Sequence, residues 1–243
     1  MEQGLVEIRY NTMTTASTES FKVLRTNLIY SEGVQVITMT SVLPNEGKTI
    51  TSFNLAKSFA QINKRVLLID ADLRKGSLKR FFTVRHKVAG LSEALSRQSG
   101  QIIEETTIPN LDVVFAGKIP PNPTELLSGE IFENIINRLR NAYDYIIIDT
   151  PPIGLVIDAV IIAHQADASL LVTAAGKIKR RFVTKAVEQL EQSGSQFLGV
   201  VLNKVDMTVD KYGSYGSYGS YGEYGKKSNQ KEGHSRAHRR RKG

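Results

Sequence analysis

Ser41-Val42-Leu43-Pro44-Asn45-Glu46-Gly47-Lys48-Thr49 stands between two patterned stretches, and its reading decides the fold. Residues 34–40 before it, Val-Gln-Val-Ile-Thr-Met-Thr, read as a strand. Residues 49–62 after it read as a helix, with Phe53, Ala56, Phe59 and Ala60 on one face. A turn closing on Gly-Lys-Thr between strand and helix suits phosphate, because backbone N–H groups and the helix N-terminus all point at the same place. Loops of this kind usually begin with glycine six residues before the lysine; here that position is Val42. Asn45 tolerates a left-handed backbone. The expected roles are Lys48 on the terminal phosphates and the Thr49 hydroxyl on Mg²⁺. Asn45, Glu46, Gly47 and Ile50 complete the candidate nucleotide-binding stretch.

Working outward, Val66-Leu67-Leu68-Ile69 is a continuous apolar run, as in a strand buried on both faces. Further strands are expected at 111–115, 145–148, 169–173 and 197–202. Helices are expected at 18–31, 91–96, 130–142, 158–164 and 182–192. Strands alternating with helices predict an α/β fold of the phosphate-loop NTPase type, a mainly parallel sheet with helices on both faces. The domain reading is a loosely held arm at 1–17, one domain at 18–206 and a flexible tail at 207–243.

Two of these strands end in acid. Leu67-Leu68-Ile69-Asp70-Ala71-Asp72 places two carboxylates at the rim where sheet ligands bind. If the strand persists, alternation points Asp70 and Asp72 the same way. Such acids hold Mg²⁺ through water, or accept a hydroxyl proton; a bare cap on the following turn is the alternative for either. Tyr145-Ile146-Ile147-Ile148-Asp149 is the second such strand, and Pro151 and Pro152 stop it. Its aspartate is the acid expected on the Mg²⁺ side.

Composition narrows the class. Hydrophobic residues are 41% of the chain and charged residues 23%, as in a soluble globular protein. The absence of cysteine excludes disulfides, thiolate metal sites and cysteine nucleophiles. No apolar run reaches the roughly 18 residues of a membrane helix, and the N-terminus lacks the pattern of a secretion signal. Of the net charge of +8, residues 226–243 supply +7, so the rest is nearly neutral and no nucleic-acid groove is indicated. The basic end itself, 234–242, suits a solvated tail or contact with an anionic surface.

Ahead of that basic end, Tyr212, Tyr215, Tyr218, Tyr221 and Tyr224 recur at three-residue spacing among glycine and serine. Alone, the repeat reads as a linker. Beside a nucleotide site it reads as a set of phosphate acceptors on a mobile strip. Five phosphates would add roughly −7 to −10 of charge, enough to reverse the sign of the basic end.

The loop, the two acid-terminated strands and the tyrosine tail together resemble the bacterial tyrosine kinases that regulate capsule and exopolysaccharide synthesis. The resemblance covers residues 17–206, and Pro120-Pro121-Asn122-Pro123-Thr124-Glu125-Leu126-Leu127 shares it. It implies ATP and Mg²⁺ as cofactors and autophosphorylation of the C-terminal tyrosines by a neighbouring subunit. It also implies a cytoplasmic chain recruited to the membrane by an embedded activator, the polysaccharide co-polymerase, and a cognate tyrosine phosphatase. Carried onto matching positions, Lys48 and Thr49 bind ATP and Mg²⁺, and Asp72 and Asp149 belong to the metal environment. Asp70 becomes the base for the tyrosine hydroxyl, the division between Asp70 and Asp72 remaining open. The family builds homo-oligomeric rings through a helix motif of Glu, Arg and Arg; Glu19, Lys22 and Arg25 stand there, Lys22 departing from it.

Two other readings fit the loop. Cell-division and partitioning ATPases share the layout but carry a signature lysine where this chain has Leu43. Asn203-Lys204-Val205-Asp206 resembles a guanine-reading motif, yet those ATPases also place an asparagine there, so Asn203 is assigned to the base without implying GTP. A non-catalytic adaptor that binds nucleotide is the third reading.

Overall fold

The computed structural model describes residues 5–9 and 13–205, so the tail tyrosines and the basic end lie outside the described residues. In chain order the strands are β1 (Glu7–Ile8), β2 (Val36–Ser41), β3 (Val66–Asp70), β4 (Phe82–Thr83), β5 (Ile103–Glu105), β6 (Leu111–Val114), β7 (Tyr145–Asp149), β8 (Ala168–Ala174) and β9 (Gln196–Asn203). The helices are α1 (Thr15–Ile29), α2 (Lys48–Ala60), α3 (Leu91–Leu95), α4 (Pro123–Leu127), α5 (Glu130–Arg140), α6 (Asp158–His164) and α7 (Arg180–Gln192).

The main sheet runs β5-β6-β3-β7-β2-β8-β9. Every pairing in it is parallel except that of β5 with β6. All residues of β2, β3 and β8 are buried; β3 is apolar up to Asp70, whereas buried threonines and serines interrupt β2 and β8. Alternation along β3 sends Val66 and Leu68 to one face, with Phe53 and Phe59 of α2 and Leu28 of α1. Leu67 and Ile69 go to the other, with Leu91 of α3, Leu127 of α4 and Phe132 and Ile136 of α5. A third cluster joins Ala186 and Leu190 of α7 to Leu171 of β8. Helices therefore cover both faces, and the ligand rim falls at the carboxyl ends of β2, β3 and β7, where the strand order reverses about β2.

Three local features differ from the sequence reading. Part of the arm docks: Val6 is fully buried and bonds Glu105 and Thr107 through its backbone, while β1 pairs with β4. One valine in a polar run has no period to betray it, since its partners lie about a hundred residues away. The first helix begins at Thr15, earlier than expected, because the Thr14 hydroxyl accepts the Ser17 N–H as an N-cap. The antiparallel edge strand β5 was not foreseen, being three residues long with two acids. Among the described residues no helix is long and apolar enough to cross a membrane.

Candidate active site

The loop after β2 is held in shape from three sides. Asn45 and Gly47 both take left-handed backbone, with φ of 64° and 95°. Gly47 is the N-cap of α2, so the N–H groups that follow have no helical carbonyl to meet and face the rim. Val42, where other loops carry glycine, is buried in the α7 cluster instead. Close approach is provided from the facing side: Gly154 donates its N–H to the Val42 carbonyl at 3.1 Å. A Cβ on Gly154 would stand 2.3 Å from that oxygen.

Glu46 is 3% exposed, and its carboxylate turns inward. One oxygen accepts the Leu43 N–H at 2.6 Å; the other accepts the Thr173 hydroxyl at 2.9 Å and the Ala174 N–H at 3.1 Å. The side chain ties the loop to the end of β8 rather than offering a ligand contact. Asn203 donates Nδ2 to the Glu46 carbonyl at 2.8 Å, and Lys204 donates Nζ to the Asn45 carbonyl at 2.6 Å. Asn203 thus stands against the loop, and a Cβ on Gly47 would lie 2.0 Å from its Nδ2. Glu46→Ala removes three hydrogen bonds from a buried brace, and buried donors left unsatisfied cost about 1–3 kcal/mol each. We expect nucleotide affinity, measured calorimetrically with a non-hydrolysable ATP analogue, to fall roughly 10- to 100-fold. An unchanged affinity would show that the brace is dispensable.

The acids meet at the rim. Asp70 and Asp149 are register partners across β3 and β7, so the two strand ends set their carboxylates side by side. Lys48 Nζ lies 2.7 Å from Asp149 Oδ1, with the lysine side chain 8% and the aspartate 0% exposed. Ser52 donates to the same oxygen at 3.3 Å. The other oxygen, Asp149 Oδ2, is buried with no partner. Burial foremost, and then the Asp149 charge, push the Asp70 carboxyl up to about 7, against the Leu78 N–H and Lys48. Its Oδ2 accepts that Leu78 N–H at 2.9 Å, and its Oδ1 accepts the Asp72 N–H at 3.2 Å.

Asp72 is placed differently from the expectation. The strand stops at Asp70, so alternation does not reach Asp72. Its carboxylate instead accepts the N–H groups of Arg74 at 3.3 Å and Lys75 at 2.9 Å, closing the turn after β3. Nothing in the sequence marks Ser77, whose hydroxyl meets that of Thr49 at 2.9 Å. Nor does it reveal the clamp on Asp158, a fully buried carboxylate gripped by Arg74 at 2.7 and 3.2 Å and by Thr124 at 2.8 Å. That clamp draws the Pro120–Leu127 segment to the turn after β3.

The residue set fits a divalent cation beside phosphates. Asp149 Oδ2 is an unclaimed buried acceptor, and the Thr49 hydroxyl opens α2 below the loop. Among the described residues no cluster of three or more His, Cys, Asp or Glu side chains is placed to hold a metal ion. Away from the rim, Lys22 pairs with Glu19 at 2.7 Å on the exposed side of α1. Arg25 turns inward and donates to the Ser58 carbonyl at 2.7 Å. The tail tyrosines fall outside the described residues.

Residues 34–196 match the family model described as an AAA domain. The chain is 50% identical over 198 residues to the tyrosine-protein kinase CpsD of Streptococcus agalactiae serotype III (strain NEM316), covering 80% of this chain and 85% of the relative. The crystal structure of the chimerical protein CapA2B2 is 33% identical with a TM-score of 0.75, over 83% of this chain and 93% of that one. The kinase domain of the Escherichia coli tyrosine kinase ETK is also 33% identical, with a TM-score of 0.72, over 78% of this chain and 77% of that domain.

Proposed function

This chain belongs to the bacterial tyrosine-protein kinase family, built on an AAA domain, and on that premise we propose that it transfers the γ-phosphate of ATP to the tyrosines of its own tail in trans. Tyrosine-kinase activity follows from the family. The ATP and Mg²⁺ requirement, the acceptors and the direction of transfer are our reading. The observation that carries it is the register pairing of Asp70 with Asp149, which sets a base candidate beside the Lys48 and Thr49 end of the loop.

In this reading the loop N–H groups and Lys48 bind the phosphates, Lys48 exchanging its Asp149 contact for phosphate oxygen. Thr49 and Asp149 hold Mg²⁺, with Asp72 in its outer environment; bound Mg²⁺ supplies charge neutralisation on the phosphate oxygens. Asp70 orients the tyrosine hydroxyl and accepts its proton as the oxygen attacks phosphorus. Asn203 contributes to the base pocket. Acceptors are Tyr212, Tyr215, Tyr218, Tyr221 and Tyr224. Glu19, Lys22 and Arg25 mark the helix through which copies assemble into a ring. A membrane-embedded partner would hold the kinase at the inner face and couple it to polysaccharide synthesis, and a cognate phosphatase would reset the tail.

The direction of transfer has its own test. A Lys48→Met chain with an intact tail is mixed with a chain whose five tail tyrosines are phenylalanine. Trans transfer puts phosphate on the Lys48→Met chain. If that chain stays unmodified while the native protein modifies itself, transfer is within one chain.

A further inference from the structure

Beside Asp70 lies a cleft of about 780 Å³, with Arg74, Lys75, Lys79, Lys87 and Lys118 on its walls. Asp70 itself is part of the lining, whereas no residue of the loop from 42 to 49 is. The cleft is therefore adjacent to the proposed base but separate from the nucleotide's phosphate cradle. Gly76 cuts the wall back to bare backbone at this point: a Cβ there would lie 2.6 Å from the Ala116 Cβ and 3.2 Å from Asp70 Oδ2.

The charge in this cleft is unbalanced. Besides Asp70, its one acid is Glu93, which accepts the Gly90 N–H at 2.9 Å, the Ser92 hydroxyl at 3.0 Å and the Lys118 N–H at 3.3 Å. Arg74 is committed to Asp158. Lys75, Lys79, Lys87 and Lys118 are exposed, and none has a carboxylate partner among the described residues. They come from the turn after β3, the 3₁₀ turn at Leu78–Phe81, the stretch before α3 and the loop after β6. Four separate segments thus bring ammonium groups to one concavity on a body whose net charge is close to neutral. Like charges gathered this way repel one another until a polyanion enters.

We propose that this cleft is a phosphotyrosine site: it holds a phosphate already placed on one tail tyrosine while the next tyrosine is presented to Asp70. The inference rests on the kinase reading above. Neighbouring tail tyrosines are three residues apart, about 10 Å in an extended chain. Asp70 and the lysines line the same cleft, so an acceptor at the aspartate and a phosphate among the lysines fall within one concavity. An aryl phosphate carries about −1.5 to −2 charge and three acceptor oxygens, which suits several ammonium donors better than a single carboxylate does. The tail then becomes a better substrate once its first phosphate is in place.

The test uses the full chain, dephosphorylated, and a peptide of residues 211–225 in three forms: unmodified, phosphorylated at Tyr218 only, and Tyr218→Glu. Without nucleotide, fluorescence anisotropy is expected to show the phosphopeptide binding at least about tenfold tighter than the unmodified one, with the glutamate form well below it. The exposed double substitution Lys79→Ser/Lys118→Ser should remove that preference. With ATP and Mg²⁺, the phosphopeptide should have a KM lower by a similar factor, and the double variant should phosphorylate the unmodified peptide as the native chain does. Equal binding of the first two peptides, or a preference that survives the double substitution, overturns the site. A glutamate peptide binding as well as the phosphopeptide would make it a general acidic-peptide groove and overturn the assignment. Binding is read without turnover, so a failure to phosphorylate any peptide would count against the kinase reading and leave the cleft to be judged on affinity.

Discussion

Lys48→Met is expected to lower phosphate transfer to the tail at least about a thousandfold. The lysine sits at the first turn of α2 and is the cation that the loop aims at the terminal phosphates. Its charge is already desolvated, with the side chain 8% exposed, so its attraction for phosphate is not diluted by water. Methionine keeps the length and apolar stem but not the charge. The substitution also strands Asp149, whose only cationic contact within 4 Å among the described residues is Lys48. Breaking a buried pair from one side costs about 3–5 kcal/mol, unless the carboxyl protonates. The double variant Lys48→Met/Asp149→Asn removes that stranded charge. We expect it to unfold at a higher temperature than the single variant and to remain inactive. Recovered transfer in the double variant would mean that the single variant fails through misfolding.

Asp70→Asn is expected to lower transfer by about 10²- to 10⁴-fold, the range for removal of a general base. Asp72→Asn should cost less in transfer, because Asp72 spends Oδ1 on two turn N–H groups that an asparagine oxygen still accepts. A larger transfer loss at Asp72 would exchange the two roles. The pH dependence has a definite sign. Burial, followed by the charge of Asp149, lifts the Asp70 carboxyl to about 7 in the free protein. Only the ionised form accepts a proton, so kcat/KM should rise as pH passes through about 7 and level off above it. A profile already flat between pH 6 and 8 would contradict Asp70 as the base.

Much of this site was legible in the chain because its parts are local. The loop needs only Asn45 and Gly47 to take left-handed backbone between a strand and a helix, and residues with that tolerance stand there. Strands β3 and β7 announce themselves because a strand buried on both faces must be apolar throughout, so the acids that end them stand out. What stayed hidden depends on distant partners. Glu46 sits inside the expected binding stretch, yet its carboxylate serves Thr173 and Ala174 across the sheet. Val42 stands at the usual glycine position without left-handed backbone, and its side chain packs in the α7 cluster. Asp72 looked like a twin of Asp70 until the strand ended between them and turn hydrogen bonds claimed it. Arg25, read as part of the subunit-assembly motif, also donates to the carbonyl of Ser58 in α2, a partner that no local pattern marks.

Intact mass spectrometry decides whether phosphate goes from ATP to tail tyrosine. Native chain and Lys48→Met, both treated with phosphatase, are incubated with ATP and Mg²⁺, with and without candidate membrane-activator segments, and the added mass is mapped by fragmentation. Phosphate is expected in steps on Tyr212, Tyr215, Tyr218, Tyr221 and Tyr224 of the native chain alone. Release of free phosphate with the tail unmodified under every condition would contradict it and assign the site to a nucleotide-switched ATPase.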